Sequence, residues 1–427
     1  MKKRSIAVIG AGAAGMMAAV TAARAGATVT IYEHRSEAGR KLLMTGNGKC
    51  NLTNTRMGTS YYYCTSEDGK QIVQTVLSEF DETRTLSFFH EVGLLTYDRD
   101  GYVYPQSEQA ATVRDVLVRE CRYCGVKFRY DTDVYPLLYR EEATGQFVIG
   151  KERYDRLILA CGGKSERQTG SDGSGYELAK RFGHRILTPL PALVPLYTNE
   201  PDWQSMAGVR AKARICLLVE GRAAGDAAGE LQMTAQGISG IPVLELSRIA
   251  VHAIHEGKRV EAEICFLNGR EPAEIEALLR HMLARGDAED RESLPDRLQK
   301  RLTGTVNAKI LSFILRRVCN DRERLHNGGP EDDRLAAAVA QQLFSCRIPI
   351  NGHGKLEHAQ VTSGGVSFDG VTGQLGSRLC EGLFFAGEML DVDGICGGYN
   401  LQWAWSSGYV AGTGAAKECV KKGERPA

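Results

Sequence analysis

The chain has 427 residues, 43% of them hydrophobic, which is enough to form the cores of two or three domains. Its 53 Lys and Arg against 52 Asp and Glu give a net charge of +1, which argues against nucleic acid or an anionic membrane as the main partner. No long uninterrupted apolar window predicts a transmembrane span, and the 12 scattered cysteines fit the reduced thiols of a cytoplasmic enzyme.

The first predicted element is a strand followed by a glycine-rich turn. Residues 5–9 predict the strand, and three glycines then follow at the spacing of a dinucleotide-binding fingerprint that opens a helix. The first glycine permits the tight turn, the second lets the backbone approach a pyrophosphate, and the third lets the helix pack against the strand. The cofactor-binding residues predicted in this turn are Gly10, Gly12, Ala13, Ala14 and Gly15.

Glu33 ends the second predicted strand, 18 residues after Gly15. At about this interval a carboxylate accepts hydrogen bonds from the two hydroxyls of an adenosine ribose and repels a 2′-phosphate. The order of these elements, with the acid at the end of the second strand, therefore predicts a βαβ unit that binds a dinucleotide without a 2′-phosphate.

A polar loop follows at residues 39–54, and its glycines, asparagines and cations suit an anionic or heterocyclic ligand. Its run Gly-Arg-Lys…Thr-Gly-Asn-Gly-Lys-Cys-Asn resembles the signature of the HI0933-like (BaiN/RdsA) family of FAD-dependent oxidoreductases, with Lys49 in place of arginine. The cofactor contacts that this resemblance implies are Arg40, Lys41, Asn47, Gly48, Cys50 and Asn51.

Helical periods at residues 72–80 and 86–92 predict two core helices, and Asp100-Gly101 predicts a hairpin turn. We expect Ser107 to cap the next helix and Gly125 to end it. Cys121 and Cys124 lie on its apolar stripe, so we interpret them as core residues and predict no metal site. Residues 126–134 predict a strand, followed by a hairpin. The family resemblance implies a backbone contact between Val134 and the adenine.

An apolar strand then ends in Ala160-Cys161-Gly162-Gly163, as strands of a parallel sheet do where backbone approaches a ligand. The cofactor contacts predicted here are Ala160 and Gly162. The stretch resembles the Ala-Thr-Gly-Gly of flavoproteins, with Cys161 in place of threonine. Gly170 to Tyr176 opens another helix without forming a second fingerprint. A nicotinamide donor, NAD(P)H, would therefore bind only transiently.

Three prolines at 189, 191 and 195 mark a predicted domain boundary. We expect residues 1–188 and 358–427 to form a discontinuous FAD-binding domain, and residues 189–357 an inserted substrate or cap domain. Within the insert, residues 214–220 and 260–266 predict strands, and residues 221–229 predict a Gly/Ala turn between them. Helices are predicted from apolar stripes at Ile275, Leu278, Leu279 and Met282, at Ile310, Phe313 and Ile314, and at Leu335, Val339 and Leu343. The segment 237–242 resembles a family segment that we expect to face the flavin or to close over it.

Near the end, an apolar strand leads into Gly387-Glu388, and a glycine pair then opens a long helix. This pattern resembles the closing half of a flavoprotein FAD site, in which the acid binds a ribityl hydroxyl. The helix N-terminus would favour the negative charge of a reduced flavin. The cofactor contacts predicted here are Gly387, Glu388, Gly397, Gly398, Tyr399, Asn400 and Leu401, and Tyr399 is also the candidate proton donor.

These features predict an α/β protein with a Rossmann-like FAD-binding domain, a doubly wound parallel sheet and an inserted mixed β/α domain. The resemblance implies an FAD-dependent oxidoreductase that takes electrons from NAD(P)H and reduces an activated C=C bond of a small-molecule substrate. The alternatives are a flavin-dependent oxidase, an RNA-modifying flavoprotein, or a non-catalytic redox sensor. A sensor would need reactive thiols, for which Cys50, Cys161 and Cys396 are the candidates.

Overall fold

The computed structural model describes residues 3–284, 294–320 and 331–417. Its helices are α1 (Ala13–Arg24), α2 (Arg40–Met44), α3 (Glu67–Glu79), α4 (Glu82–Glu91), α5 (Ala110–Tyr123), α6 (Ser174–Arg181), α7 (Ile241–His255), α8 (Pro272–Leu283), α9 (Leu294–Arg301), α10 (Ala308–Asn320), α11 (Glu331–Phe344) and α12 (Tyr399–Ala416). Its strands are β1 (Ser5–Ile9), β2 (Thr28–Tyr32), β3 (Thr53–Asn54), β4 (Tyr62–Tyr63), β5 (Thr96–Arg99), β6 (Tyr102–Pro105), β7 (Lys127–Arg129), β8 (Leu138–Arg140), β9 (Phe147–Ile149), β10 (Glu152–Tyr154), β11 (Arg156–Leu159), β12 (Ile186–Ala192), β13 (Leu196–Tyr197), β14 (Arg210–Val219), β15 (Arg222–Thr234), β16 (Gly237–Ser239), β17 (Val260–Cys265), β18 (Cys346–Ile350), β19 (Gly352–His353), β20 (Val361–Val366), β21 (Leu383–Phe385) and β22 (Asp393–Gly394).

The chain divides into two compact units. The first unit consists of Met1–Pro191 and Leu356–Ala427, and the second unit is Ala192–Lys355. The insert expected from the sequence, 189–357, differs from the second unit by three residues at its start and two at its end.

The first unit is built on a five-stranded sheet in the order β21-β11-β1-β2-β7. Every pairing in this sheet is parallel, with Ala7 opposite Leu157 on one side and Thr30 on the other. The apolar residues of β1 and β11 are buried along the whole strand, because a central parallel strand is covered on both faces. The Rossmann-like fold predicted from the sequence is confirmed.

Helix α12 packs closely against α1 through two glycines one turn apart. A Cβ added at Gly408 would lie 2.5 Å from the carbonyl oxygen of Ala14, and one at Gly412 would lie 2.5 Å from that of Ala18. Only glycine permits this approach of the two helix backbones. The contact brings the C-terminal helix of the chain against the first helix after the glycine-rich turn.

Two local predictions in the first unit need correction. The strand predicted over 126–134 ends at Arg129, because Asp131 turns with φ 51° and its N–H donates to the carbonyl of Arg35. Helix α5 begins at Ala110 with Gln109 as its N-cap, and Ser107 bonds Thr112 through its hydroxyl instead of capping the helix. The hairpin of β5 and β6 is confirmed, with Asp100 and Gly101 both at positive φ.

The second unit is built on a seven-stranded sheet in the order β18-β17-β14-β15-β16-β13-β19. The predicted Gly/Ala turn over 221–229 is wrong, since residues 222–229 belong to β15, which pairs with β14 from Arg222 to Gln232. The turn itself is only Glu220-Gly221, both at positive φ. A Cβ at Gly225 would lie 2.8 Å from Ile249 of α7, so the small residues of β15 let that helix lie against the strand.

The predicted helical stripes of the second unit lie in α8, α10 and α11, and they are buried except at two positions. Leu278 is 45% exposed and Met282 is only partly buried, so the buried stripe of α8 is formed by Ile275, Leu279 and Leu283. The segment 237–242 forms β16 and the start of α7, so that it lies in the second unit. Its orientation toward the flavin stays a prediction. Within the described ranges, no helix is long and apolar enough to cross a membrane.

Candidate functional site

The glycine-rich turn joins β1 to α1. Gly10 has φ 103°, and its N–H donates to the carbonyl of Tyr32 in the neighbouring strand. A Cβ at Gly15 would lie 2.0 Å from the carbonyl oxygen of Gly10, so this glycine seats α1 against the turn. Gly12 is the N-cap of α1, and a Cβ added there would meet no atom within 4 Å. Gly12 therefore leaves open space beside the N-terminus of the helix.

Glu33 follows β2 and helps to shape this turn. One carboxylate oxygen accepts from the N–H of Ala11 at 2.9 Å, and the other accepts from the N–H of Arg35 at 3.0 Å. His34 Nδ1 lies 3.2 Å from the same carboxylate. Each carboxylate oxygen can accept more than one hydrogen bond, so Glu33 can still accept from a ligand hydroxyl.

A cavity of about 350 Å³ lies at the carboxyl ends of these parallel strands, a volume in the range of small-molecule sites. The structure brings 14 of the sequence-predicted cofactor residues into its lining, and all of the lining belongs to the first unit. These 14 residues are Gly10, Gly12, Ala13, Ala14, Glu33, Arg40, Lys41, Val134, Ala160, Gly162, Gly387, Glu388, Asn400 and Leu401.

Eight predicted contacts lie outside this lining: Gly15, Asn47, Gly48, Cys50, Asn51, Gly397, Gly398 and Tyr399. Asn47 and Gly48 lie in a left-handed turn, with φ of 54° and 83°. Cys50 is fully buried, and the side-chain amide of Asn51 lies beside the carbonyls of Thr53 and Val103. The roles of all eight residues in cofactor binding stay predictions.

The glycine pair before α12 has a packing role that the sequence did not indicate. A Cβ at Gly398 would lie 2.6 Å from the backbone of Thr53, and one at Gly397 would lie 2.6 Å from the ring of Tyr102. The hydroxyl of Tyr399 donates to the carbonyl of Arg56, and its ring lies 5.0 Å from that of Tyr61. The glycines are thus needed to seat the helix start on its neighbours.

The loop after β7 contributes Thr132, Asp133, Val134 and Tyr135 to the lining of the cavity. Thr132 N–H donates to the carbonyl of Glu33, which ties this loop to the acid. The carbonyl of Val134 accepts from the N–H groups of Leu137 and Leu138. A contact from Val134 to an adenine would therefore come from its N–H.

Lys41 and Glu388, which also line the cavity, form an ion pair with 2.6 Å between Nζ and Oε2. Ser165 Oγ donates to Glu388 at 2.9 Å, and the N–H of Thr362 donates to the same carboxylate at 2.8 Å. Burial alone would raise the pKa of Glu388, but the charge of Lys41 and these hydrogen bonds outweigh it and lower the pKa below its ordinary value.

Sequence reasoning named Lys41 and Glu388 separately and missed both their pairing and the role of Ser165. Ser165 and Thr362 are fully buried and polar, and Thr362 Oγ1 accepts from the N–H groups of Lys164 and Ser165. No local pattern marks these contacts, because Lys41 and Glu388 are 347 positions apart in the chain.

Two cysteines named as candidate redox residues are poorly placed for thiolate chemistry. Burial raises the pKa of the Cys50 thiol to about 12, with only partial offset from Thr45. Burial likewise raises the pKa of the Cys161 thiol to about 12, and its Sγ lies 3.5 Å from the carbonyl oxygen of Ile9. Because the thiolate is the reactive form, neither thiol is activated.

The residues of this cavity fit FAD. The open space beside Gly12 at a helix N-terminus suits a pyrophosphate, Glu33 suits the adenosine ribose, and the cations of Arg40 and Lys41 complement negative charge. Across the described parts of the chain, no group of three or more His, Cys, Asp or Glu side chains is arranged to hold a metal ion.

The fold and this site define an FAD-binding oxidoreductase of the Rossmann type. The family model described as the HI0933-like protein Rossmann domain matches residues 4–414. The chain belongs to the HI0933-like family.

Curated relatives match the chain along nearly its whole length. The 3-dehydro-bile acid delta(4,6)-reductase of Clostridium scindens is 38% identical over 423 residues, covering 96% of this chain and 99% of the relative. The ribosomal RNA dihydrouridine synthase of Escherichia coli is 29% identical and covers 96% of this chain and 97% of its own. Among solved structures, the 3-ketosteroid delta1-dehydrogenase of Sterolibacterium denitrificans is 12% identical with a TM-score of 0.48, covering 97% of this chain and 100% of that one.

Proposed function

We propose that this FAD-dependent oxidoreductase reduces an activated carbon–carbon double bond of a small, steroid-like or bile-acid-like enone with electrons from NAD(P)H. The observation that carries the proposal is the 38% identity, over nearly both full lengths, to a reductase of 3-dehydro-bile acids. The names of both curated relatives describe addition of hydrogen across a C=C bond, so the reaction class does not depend on which of them this chain follows.

The chain's own residues contribute position and charge to this reaction. When bound, FAD supplies hydride transfer through its flavin N5. Glu33 and the turn at Gly12 would hold the adenosine and phosphate end of FAD, and Lys41 and Glu388 contribute their charges to the lining of the same cavity. The first turn of α12, with Asn400 and Leu401 in the lining, adds the partial positive charge of a helix N-terminus.

Charge balance favours a small molecule over ribosomal RNA as the substrate. The second unit has 22 Lys and Arg and 22 Asp and Glu, and the rest of the chain has 31 and 30. Arginines on the long hairpin of the second unit are paired across the strands, Arg210 with Glu230 and Arg214 with Asp226. A protein that binds RNA through its backbone phosphates needs an excess of cations on one face.

We assign substrate selection to the second unit, since all of the lining of the cofactor cavity comes from the first. Cys50 is fully buried, and burial raises the pKa of both the Cys50 and the Cys161 thiol, which argues against these two cysteines as the reactive thiols of a redox sensor.

Anaerobic stopped-flow spectroscopy tests the choice of substrate. FAD-loaded enzyme is photoreduced and then mixed with a steroid-like enone, a simple enone, or a uridine-containing ribosomal RNA fragment. We expect the flavin absorbance to return fastest with the steroid-like enone. Reoxidation by the RNA fragment and by neither enone would assign the chain to RNA modification. Reoxidation by none of the three, but by air-saturated buffer in a separate mixing experiment, would assign it to an oxidase.

A further inference from the structure

The ion pair between Lys41 and Glu388 lies in the lining of the cofactor cavity. Their side chains are only 25% and 19% exposed. Two charges removed from water lose more hydration energy than an apolar pair of the same volume would, so such a pair is weak evidence for a purely stabilising role. Its position in the cavity indicates a role toward the bound cofactor.

The carboxylate of Glu388 is already bonded within the protein. Oε1 accepts from Thr362 N–H and Ser165 Oγ, and Oε2 accepts from Lys41. These bonds fix the carboxylate beside Lys41 and leave Oε2 able to accept from a ribityl hydroxyl, the contact that the family resemblance implies. The lysine donates to Glu388 and to Ser165, each at 2.6 Å, so one of its three N–H groups is not used by these two bonds.

The sheet order places this pair far from the adenosine end. Glu33 follows β2 and Glu388 follows β21, and β1 and β11 lie between those strands. Three strand spacings of roughly 4.8 Å separate the two acids by about 14 Å along the sheet edge. With the adenosine ribose at Glu33, Lys41 and Glu388 lie toward the electron-accepting half of the dinucleotide.

We propose that Lys41 and Glu388 form a charge-balanced pair that sets the reduction potential of the flavin, with Lys41 presenting its ammonium to the cofactor and Glu388 positioning and offsetting it. A nearby positive charge stabilises the reduced cofactor, which carries more negative charge, and a carboxylate does the reverse. The inference rests on FAD binding in this cavity, and it is independent of which double bond the enzyme reduces.

Four proteins test the pair: the wild type, Lys41→Met, Glu388→Gln and the double variant. Lys41→Met should lower the flavin potential, Glu388→Gln should raise it, and the double variant should return close to the wild type, because its net charge is restored. Sulfite affinity, which rises with flavin potential, gives a second readout. We expect the sulfite dissociation constant to move ~10-fold or more in opposite directions in the two single variants.

Glu177→Gln is the matched control, because Glu177 pairs with Lys180 on the exposed surface of α6 and should leave both readouts unchanged. If Lys41→Met does not retain FAD, the double variant compared with Glu388→Gln measures the same loss of positive charge and must have the lower potential.

Shifts of the same sign in both single variants, or no shift in either, would overturn the proposal. A weaker FAD affinity of Lys41→Met at an unchanged potential would also overturn it, and would assign Lys41 to the phosphates. Neither measurement uses NAD(P)H or an enone, so a failure here is distinct from a failure of the proposed reductase function.

Discussion

The two glycines Gly12 and Gly15 lie three residues apart, yet adding one methyl group should reduce FAD affinity at Gly12 and reduce stability at Gly15. At Gly15 a Cβ would lie 2.0 Å from the carbonyl oxygen of Gly10, so the backbone must move by more than 1 Å. Overpacking of this kind costs about 1–3 kcal/mol. At Gly12 the same atom would meet nothing within 4 Å, and φ there is −78°, which alanine adopts without strain.

Gly12→Ala should therefore leave the FAD-free protein within about 1 kcal/mol of the wild type, the usual range of a changed N-cap. Its methyl group would enter the cavity where a phosphate must approach the backbone. Losing one hydrogen bond to a charged group costs about 1.5–3 kcal/mol, which is roughly a 10- to 150-fold weaker FAD affinity.

Thermal unfolding of the FAD-free proteins and FAD titration followed by flavin fluorescence separate the two effects. Gly15→Ala should lower the melting temperature by roughly 2–4 °C for each kcal/mol lost. Gly12→Ala should melt like the wild type and bind FAD poorly. If Gly12→Ala binds FAD as tightly as the wild type, the cofactor does not approach this turn and the assignment of the cavity is wrong.

Three further predictions concern Glu33, the second unit and His184. Glu33→Ala should weaken FAD binding by about 1.5–3 kcal/mol, and an unchanged FAD dissociation constant would show that Glu33 serves only the N–H groups of Ala11 and Arg35. Replacing residues 192–355 by a short linker should leave a yellow protein that no longer discriminates among enones, whereas a folded protein without FAD would show that the second unit is needed to hold the cofactor. Burial lowers the pKa of His184 below its usual value, so the unfolded chain takes up a proton at a higher pH than the folded chain does. The stability that this histidine contributes is therefore fully present above about pH 6.5 and is lost as the pH falls, by at most ~1.4 kcal/mol per pH unit. The melting temperature of His184→Gln should fall less steeply between pH 7 and pH 5 than that of the wild type. An equal fall in both proteins would show that His184 does not contribute to the pH dependence of stability.

The parts of the structure that local chemistry determines could be predicted from the sequence. Gly10 and the hairpin residues Asp100 and Gly101 have positive φ, which favours glycine or aspartate, and that requirement is visible in the sequence. Glu33 follows because the length of one βαβ unit fixes where its second strand ends.

Features that depend on distant partners could not be predicted. Residues 221–229 have the composition of a turn, yet pairing with β14 and packing against α7 make most of them a strand. The predicted contact of Gly398 with the cofactor stays a prediction, and only the fold shows that a side chain there would also collide with the backbone of Thr53. The pairing of Lys41 with Glu388 joins two ends of the chain, so only the fold reveals that their charges balance.

The most direct test of the proposed function is the product of a complete turnover. The FAD-loaded enzyme is incubated anaerobically in catalytic amounts with a 3-oxo-4-ene steroid and either NADH or NADPH, and the product is identified by mass spectrometry. We expect a saturated product that has gained two hydrogen atoms, with one equivalent of the nicotinamide oxidised for each product formed. Oxidation of the nicotinamide with no reduced steroid, or no oxidation of either nicotinamide, would contradict the assignment as an NAD(P)H-dependent enone reductase.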